Sequence, residues 1–326
     1  MNGYPSLAKF TAQLGCLITG LLLALSATAE AQLPMPQLAP GVLKVIPAEP
    51  SEMDTATGPV DFAEVSRIAP AWEPHFAASS ETLSGLAGST TFRRPVWQLE
   101  FAFKPMRMLT VPIPSGDGTA KARRIWYLLY RIRNTGGSLK PVAEKDEFGH
   151  DRFVLQSDKK DLRFMPIFAL RAHEYDKEYA DHVLPEVLAK IHRIEIRDPR
   201  VKLYDSISIT QVPITTTGES IGREYWGVAT WDNIERRTDF FSVYVQGLTN
   251  AYRFEDTASE ETTFGAGRKY AFRTLKLNFY RPGDAVGENG DEFRYGLPLH
   301  NGTPDPKILQ MYDVESDVDH AWVYRP

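Results

Sequence analysis

Between positions 96 and 104 the chain alternates. Trp97, Leu99, Phe101 and Phe103 are large and apolar, and Gln98, Glu100, Ala102 and Lys104 stand between them. A period of two predicts a strand with one buried face. Pro105 interrupts it, and 106–113 continues as an edge or bulged strand. The next segment, RIWYLLYRIRNTGG at 124–137, is apolar on both faces. Trp126, Leu128, Tyr130 and Ile132 point one way, and Ile125, Tyr127 and Leu129 the other. This pattern predicts a strand at the centre of a sheet, ended by Asn134-Thr135-Gly136-Gly137. Further strands are predicted at 152–156, 162–171 with a break at Pro166, 202–213, 224–231, 239–254, 269–280 and 321–324. A short amphipathic piece falls at 308–312.

One stretch departs from this rhythm. Tyr175, Tyr179, Val183, Val187 and Ile191 recur every four residues, which predicts a helical insertion near 173–195, with Pro185 starting a second segment or kinking the first. The rest predicts a mainly β fold, an antiparallel β-sandwich of immunoglobulin/fibronectin-like architecture occupying 93–326. The cysteine pair and tryptophan spacing of true immunoglobulin domains are absent. The blocks IWYLLYRIRNTGG and WGVATWDNIERRTDFFSVYVQGLTNAY, within roughly 93–282, resemble a family of uncharacterised exported bacterial β-sandwich-like proteins. No activity is assigned to that family, so the resemblance implies export and a β fold but transfers no site residue.

The N-terminal part has a different character. Lys9 precedes an uncharged apolar run, LGCLITGLLLALSA at 14–27, followed by the small-residue patterns Ala27-Thr28-Ala29 and Ala29-Glu30-Ala31. Residues 1–31 therefore read as a signal peptide, which places the mature chain in the periplasm or outside the cell. The alternative is a membrane tether formed by an uncleaved signal. With cleavage, no transmembrane segment is expected. Residues 32–92 read as a proline-rich spacer and lead-in, since Pro34, Pro36, Pro40, Pro47, Pro50 and Pro59 break regular structure. Trp72 and Phe76 are expected to pin the lead-in to the domain.

Composition narrows the function classes. A formal net charge of −5 argues against nucleic acid as a partner. The single cysteine, Cys16, lies in the leader, so neither a disulfide framework nor a cysteine zinc site is expected. The chain has no G-x-S-x-G elbow, Walker loop, H-E-x-x-H motif or complete G-x-G-x-x-G. The cluster 173–182 places Glu174, Glu178, Asp181 and His182 on one face if it is helical, a donor set for zinc, manganese or iron. A solvated amphipathic helix gives the same pattern, and on such a face Glu174→Ala is worth within about 0.5 kcal/mol. The acidic run 313–320 has oxygen ligands for calcium but lacks the glycine and distal glutamate of an EF-hand. Glu100, Glu224 and Asp232 are carboxylates that a glycoside hydrolase could use in pairs.

Aromatic placement is the remaining signal. Trp226 and Trp231 are five apart, so a regular strand turns them to opposite faces, and an outward ring would stack on sugar or enter a partner's pocket. They are the candidate ligand contacts. Arg268, Lys269, Arg273 and Lys276 spread over both faces of their strand and do not form a nucleic-acid patch. The resulting expectation is an exported, non-catalytic envelope or extracellular protein, with no catalytic residue, cofactor or metal assigned. Its partner would be an envelope protein or a polysaccharide. The alternative is a carbohydrate-binding protein or glycoside hydrolase on a β-sandwich scaffold.

Overall fold

The computed structural model describes residues 42–57, 92–114, 120–149, 151–158, 160–216, 223–256, 268–282 and 293–326. The leader 1–31, Trp72 and Phe76 lie outside them. Two large sheets dominate. In the first, strands run in the order Lys44–Ile46, Glu100–Phe103, Ala120–Arg133, Tyr225–Trp231 and Leu203–Tyr204, and Arg107–Pro114 pairs with the N-terminal part of Ala120–Arg133. In the second the order is Lys177–Ala180, Ile167–Ala172, Phe240–Gln246 and Arg268–Tyr280. Tyr252–Asp256, Arg294–Tyr295 and His320–Arg325 also pair with that last strand. Within these sheets only Leu203–Tyr204 runs parallel to its neighbour. The chain is mainly β, in several antiparallel sheets.

The two sheets share one core. Trp126, Leu128, Tyr130 and Ile132 from the first meet Phe241, Val243, Leu275, Leu277 and Phe279 from the second. Trp126 and Phe241 lie edge to face at 5.2 Å, and Tyr130 and Phe168 are 5.0 Å apart. The opposite face of strand 120–133, carrying Ile125, Tyr127 and Leu129, is covered by helix Pro185–Glu195 through Val187 and Ile191. From Ile125 to Tyr130 this central strand is therefore buried on both sides, which is why its sequence there is apolar in both parities, while Ala120–Arg123 is exposed.

The helix ends on a buried charge cluster. Glu195 receives Lys104 Nζ at 3.0 Å, and Arg107 Nη1 and the Tyr127 hydroxyl at 2.8 Å each. Three donors offset the cost of burying this carboxylate and tie the last helical turn to the sheet.

Several segments differ from the sequence expectations. The single strand expected at 239–254 is two, Phe240–Gln246 and Tyr252–Asp256, and the strand Ser138–Lys145 was not expected. Three further differences bear on the candidate site. The helix covers Pro185–Glu195 and not the whole of 173–195. Residues 173–176 form a turn with Asp176 at φ +47°, and Lys177–Ala180 pairs antiparallel with Ile167–Ala172. The predicted strand at 202–213 is instead Leu203–Tyr204, a 3₁₀ turn Ser208–Gln211 and the bridge Pro213–Ile214.

The third lies in the expected spacer, where 42–57 packs on the domain. Lys44–Ile46 pairs with Glu100–Phe103 and buries Ile46, and the buried Asp54 binds Arg273 Nη1 at 2.8 Å and the Tyr324 hydroxyl. Pro47 follows the last residue of this edge strand, so the prolines of this segment end the pairing without preventing it. Among the described residues no helix is long and apolar enough to cross a membrane.

Candidate functional site

The side chains of 173–182 diverge, because a turn and a strand replace the helix that would have aligned them. Glu174 accepts from the backbone N–H groups of Asp239 and Phe240 at 2.6 Å each. Glu178 binds Arg325 at 2.6 Å, Asp181 accepts from Ser206, and His182 Nδ1 lies 3.1 Å from Asp232. Burial pushes the carboxyls of Glu174 and Asp181 above their ordinary range. Among the described residues no three His, Cys, Asp or Glu side chains are grouped to hold a metal ion.

The acidic run is also dispersed. Asp313 ends helix Pro306–Tyr312 in the left-handed region, Glu315 and Asp317 are exposed, and His320 lies 3.1 Å from the Tyr295 hydroxyl. Of the paired carboxylates, Glu100 and Glu224 do come together, but on one guanidinium. Arg131 gives Nη2 to Glu100 at 3.0 Å and Nη1 to Glu224 at 2.5 Å. That arginine fills the space a glycosidic oxygen would need between two carboxylates. Asp232 is held separately by Arg123 and His182.

One arrangement that the sequence did not single out resembles a nucleophile and its base. His173 Nε2 is 2.8 Å from Ser242 Oγ. The proton polarity runs the wrong way for catalysis. Asn278 donates its Nδ2 to Val318 O at 2.9 Å, which turns its Oδ1 toward Ser242, and the Ser242 hydroxyl donates to that oxygen at 2.8 Å. Ser242 therefore accepts from a protonated His173 Nε2, whereas a general base would present a bare nitrogen. Burial, reinforced by Lys276 and Arg171, pushes His173 down to about 3. Ser242 is fully buried, and the trio works as a structural hydrogen-bond chain.

Trp226 and Trp231 face opposite sides of their strand, as their spacing requires, and both faces are covered. Trp226 lies under helix Pro185–Glu195, and Trp231 lies in the core between the sheets, donating Nε1 to Tyr179 O at 3.2 Å. At 2% and 0% exposure neither ring is a platform. The four basic residues at 268–276 also separate. Arg273 binds Asp54, and the buried Lys276 donates to the carbonyl of Tyr312.

The exposed aromatics stand elsewhere, on the hairpin formed by Tyr252–Asp256 and the first part of Arg268–Tyr280. Register sets Tyr252 opposite Phe272 and Phe254 opposite Tyr270, so all four rings share one face. Ring centres are 5.7 Å apart for Tyr252 and Tyr270, 6.1 Å for Phe254 and Tyr270, and 6.4 Å for Tyr252 and Phe272. Arg94 lies 3.6 Å over Tyr252 and donates to its carbonyl at 2.9 Å, and Arg268 lies 4.1 Å over Phe254. Tyr270 and Phe272 have no such cation over them among the described residues and are 44% and 40% exposed. The alternation at 252–254 and 270–272 is present in the sequence, but alternation alone does not say which face is left in water. Compared with known proteins, the chain matches no family model, no curated protein and no solved structure.

Proposed function

We infer that this chain is an exported, non-catalytic binding protein of the envelope or extracellular space, and that its contact surface is the aromatic face of the 252–256/268–272 hairpin. The observation that carries this reading is the half-exposed pair Tyr270 and Phe272, set beside two rings already covered by arginine. Large apolar rings left partly in water on an ordered strand pair cost free energy that burial against a partner recovers. Export rests on the apolar leader and its small-residue cleavage patterns. The two sheets sharing one core support an antiparallel sandwich of the immunoglobulin/fibronectin kind, a scaffold that presents binding surfaces on strands and loops.

A polysaccharide is the favoured partner, since the open faces of Tyr270 and Phe272 suit stacking against the apolar face of a sugar ring. The test is retention of the purified mature chain on insoluble polysaccharides and on immobilised envelope proteins, with Tyr270→Ala/Phe272→Ala alongside. Retention on polysaccharide that the double variant loses, with an unchanged circular-dichroism spectrum, is the expected result. Retention that the variant keeps, or none on any matrix, overturns the reading. Retention on envelope protein alone transfers the surface to a protein partner. Trp226→Ala and Trp231→Ala report on folding and not on contact, because both rings are buried.

A further inference from the structure

A concave surface lies on the other sheet, along the outer flank of helix Pro185–Glu195. Pro185, Leu188, Ala189, His192 and Arg193 recur at helical spacing and make one wall, and Ile196 continues it. The chain then turns back at Pro199, and Val201 and Leu203 make the other wall. His192 Nε2, 2.7 Å from Val201 O, pins the returning segment to the helix. Two depressions of about 650 and 360 Å³ share Ala189, His192 and Pro199, so they form one trough. It follows about 16 Å of helix axis, and each part is within the size of ordinary small-molecule sites.

The lining is apolar along its floor and basic at its rim. Arg193 and Arg197 stand at one end, Arg200 and Lys202 at the other, and no carboxylate lines either depression. The chain as a whole has more acidic than basic residues, 42 against 37, so this grouping runs against its composition. Arg200 is engaged by Asp198 at 2.8 and 3.0 Å, and Lys202 lies 4.6 Å over the Tyr204 ring. The attraction of the helix C-terminus for cations accounts for Arg193, in the last turn, but falls off too quickly to account for Arg197. Arg193 in the last helical turn and Arg197 just beyond the helix line the same depression, and forked guanidiniums are suited to a planar or tetrahedral oxyanion.

We propose that this trough binds a single-chain amphiphile bearing an oxyanion headgroup, with Arg193 and Arg197 holding the phosphate or carboxylate and the accessible apolar side chains of Leu188, Pro199 and Val201, backed by the buried Ile196 and Leu203, covering the alkyl chain. The site is independent of the aromatic hairpin, which belongs to the other sheet.

The test is isothermal titration of the purified chain with dodecyl phosphate, dodecanoate, dodecyltrimethylammonium and inorganic phosphate, each amphiphile kept below its micelle-forming concentration. One or both anionic amphiphiles bind, the tighter naming the headgroup, and the cationic analogue does not. Arg193→Ala/Arg197→Ala weakens binding by about tenfold or more, the loss of a charge-assisted contact, and Arg193→Lys/Arg197→Lys loses less. Inorganic phosphate binds at least about tenfold more weakly than dodecyl phosphate, which isolates the contribution of the floor. The proposal is overturned by equal affinity for the cationic analogue, by inorganic phosphate binding as tightly as dodecyl phosphate, by a folded double-alanine variant that binds unchanged, or by no binding of either anionic amphiphile.

Discussion

Acidification should destabilise this protein through His173. Its Nε2 must carry the proton that reaches Ser242, and its ring lies 4.5 Å from that of Tyr312. Lys276 and Arg171 oppose a second proton, and Asp176 alone favours one. Burial is the largest cause, and together they lower His173 from 6.5 to about 3. In the unfolded chain the imidazole returns to about 6.5. Between those values the unfolded state holds a proton that the folded state does not. The stabilisation is therefore complete above pH 6.5 and declines as pH falls toward 3. At pH 5 the loss from this residue alone is about 2 kcal/mol.

The assay is urea unfolding at pH 7 and pH 5 on the natural chain and on His173→Gln, whose amide keeps a donor for Ser242. Carboxylates titrate in both proteins and cancel in the difference, so the natural chain should lose about 2 kcal/mol more than the variant. An equal loss in both proteins, or a His173 resonance that titrates near pH 6 in the folded state, would refute the reasoning.

Glu195→Ala should cost about 3–5 kcal/mol in urea unfolding, because Lys104 and Arg107 lose the carboxylate that holds them at the sheet. A loss under about 1 kcal/mol would mean that water replaces it. At Gly227 an added Cβ would overlap the buried ring of Tyr130, so Gly227→Ala should cost about 1–3 kcal/mol, and less when combined with Tyr130→Leu. Additive effects of those two changes would show that the ring is not the obstacle. Glu174→Ala should cost about 1–2 kcal/mol and speed amide exchange at Asp239 and Phe240, which lose their acceptor. Exchange that stays unchanged would return Glu174 to the neutral surface role its sequence neighbourhood implied.

The part of strand 120–133 from Arg124 onward was legible because two interleaved apolar sets leave a strand no option but burial on both faces, and the sequence alone also determined the turn that ends it. The exposed start at Ala120–Arg123 carries no such pattern. The error at 173–184 has a definite cause. Residues four apart share a face on a helix, but four is also twice the strand period, so Tyr175, Tyr179 and Val183 satisfy both patterns. The conflict was decided by the left-handed turn at Asp176, which folds Lys177–Ala180 back onto Ile167–Ala172 as a hairpin, and by the long-range ladder that anchors Ile167–Ala172 to Phe240–Gln246. Parity likewise determined that Trp226 and Trp231 point to opposite sides. It could not say that a helix would cover one side and a second sheet the other, since cover comes from residues distant along the chain. The alternation of Tyr252, Phe254, Tyr270 and Phe272 was in the sequence, but their pairing in register and their half-exposed face belong to the hairpin. In the same way the sequence shows Arg193 and Arg197 four positions apart. Only the return of the chain through Pro199 to Leu203 makes a trough beside them, because a concave surface needs two walls and local sequence supplies one.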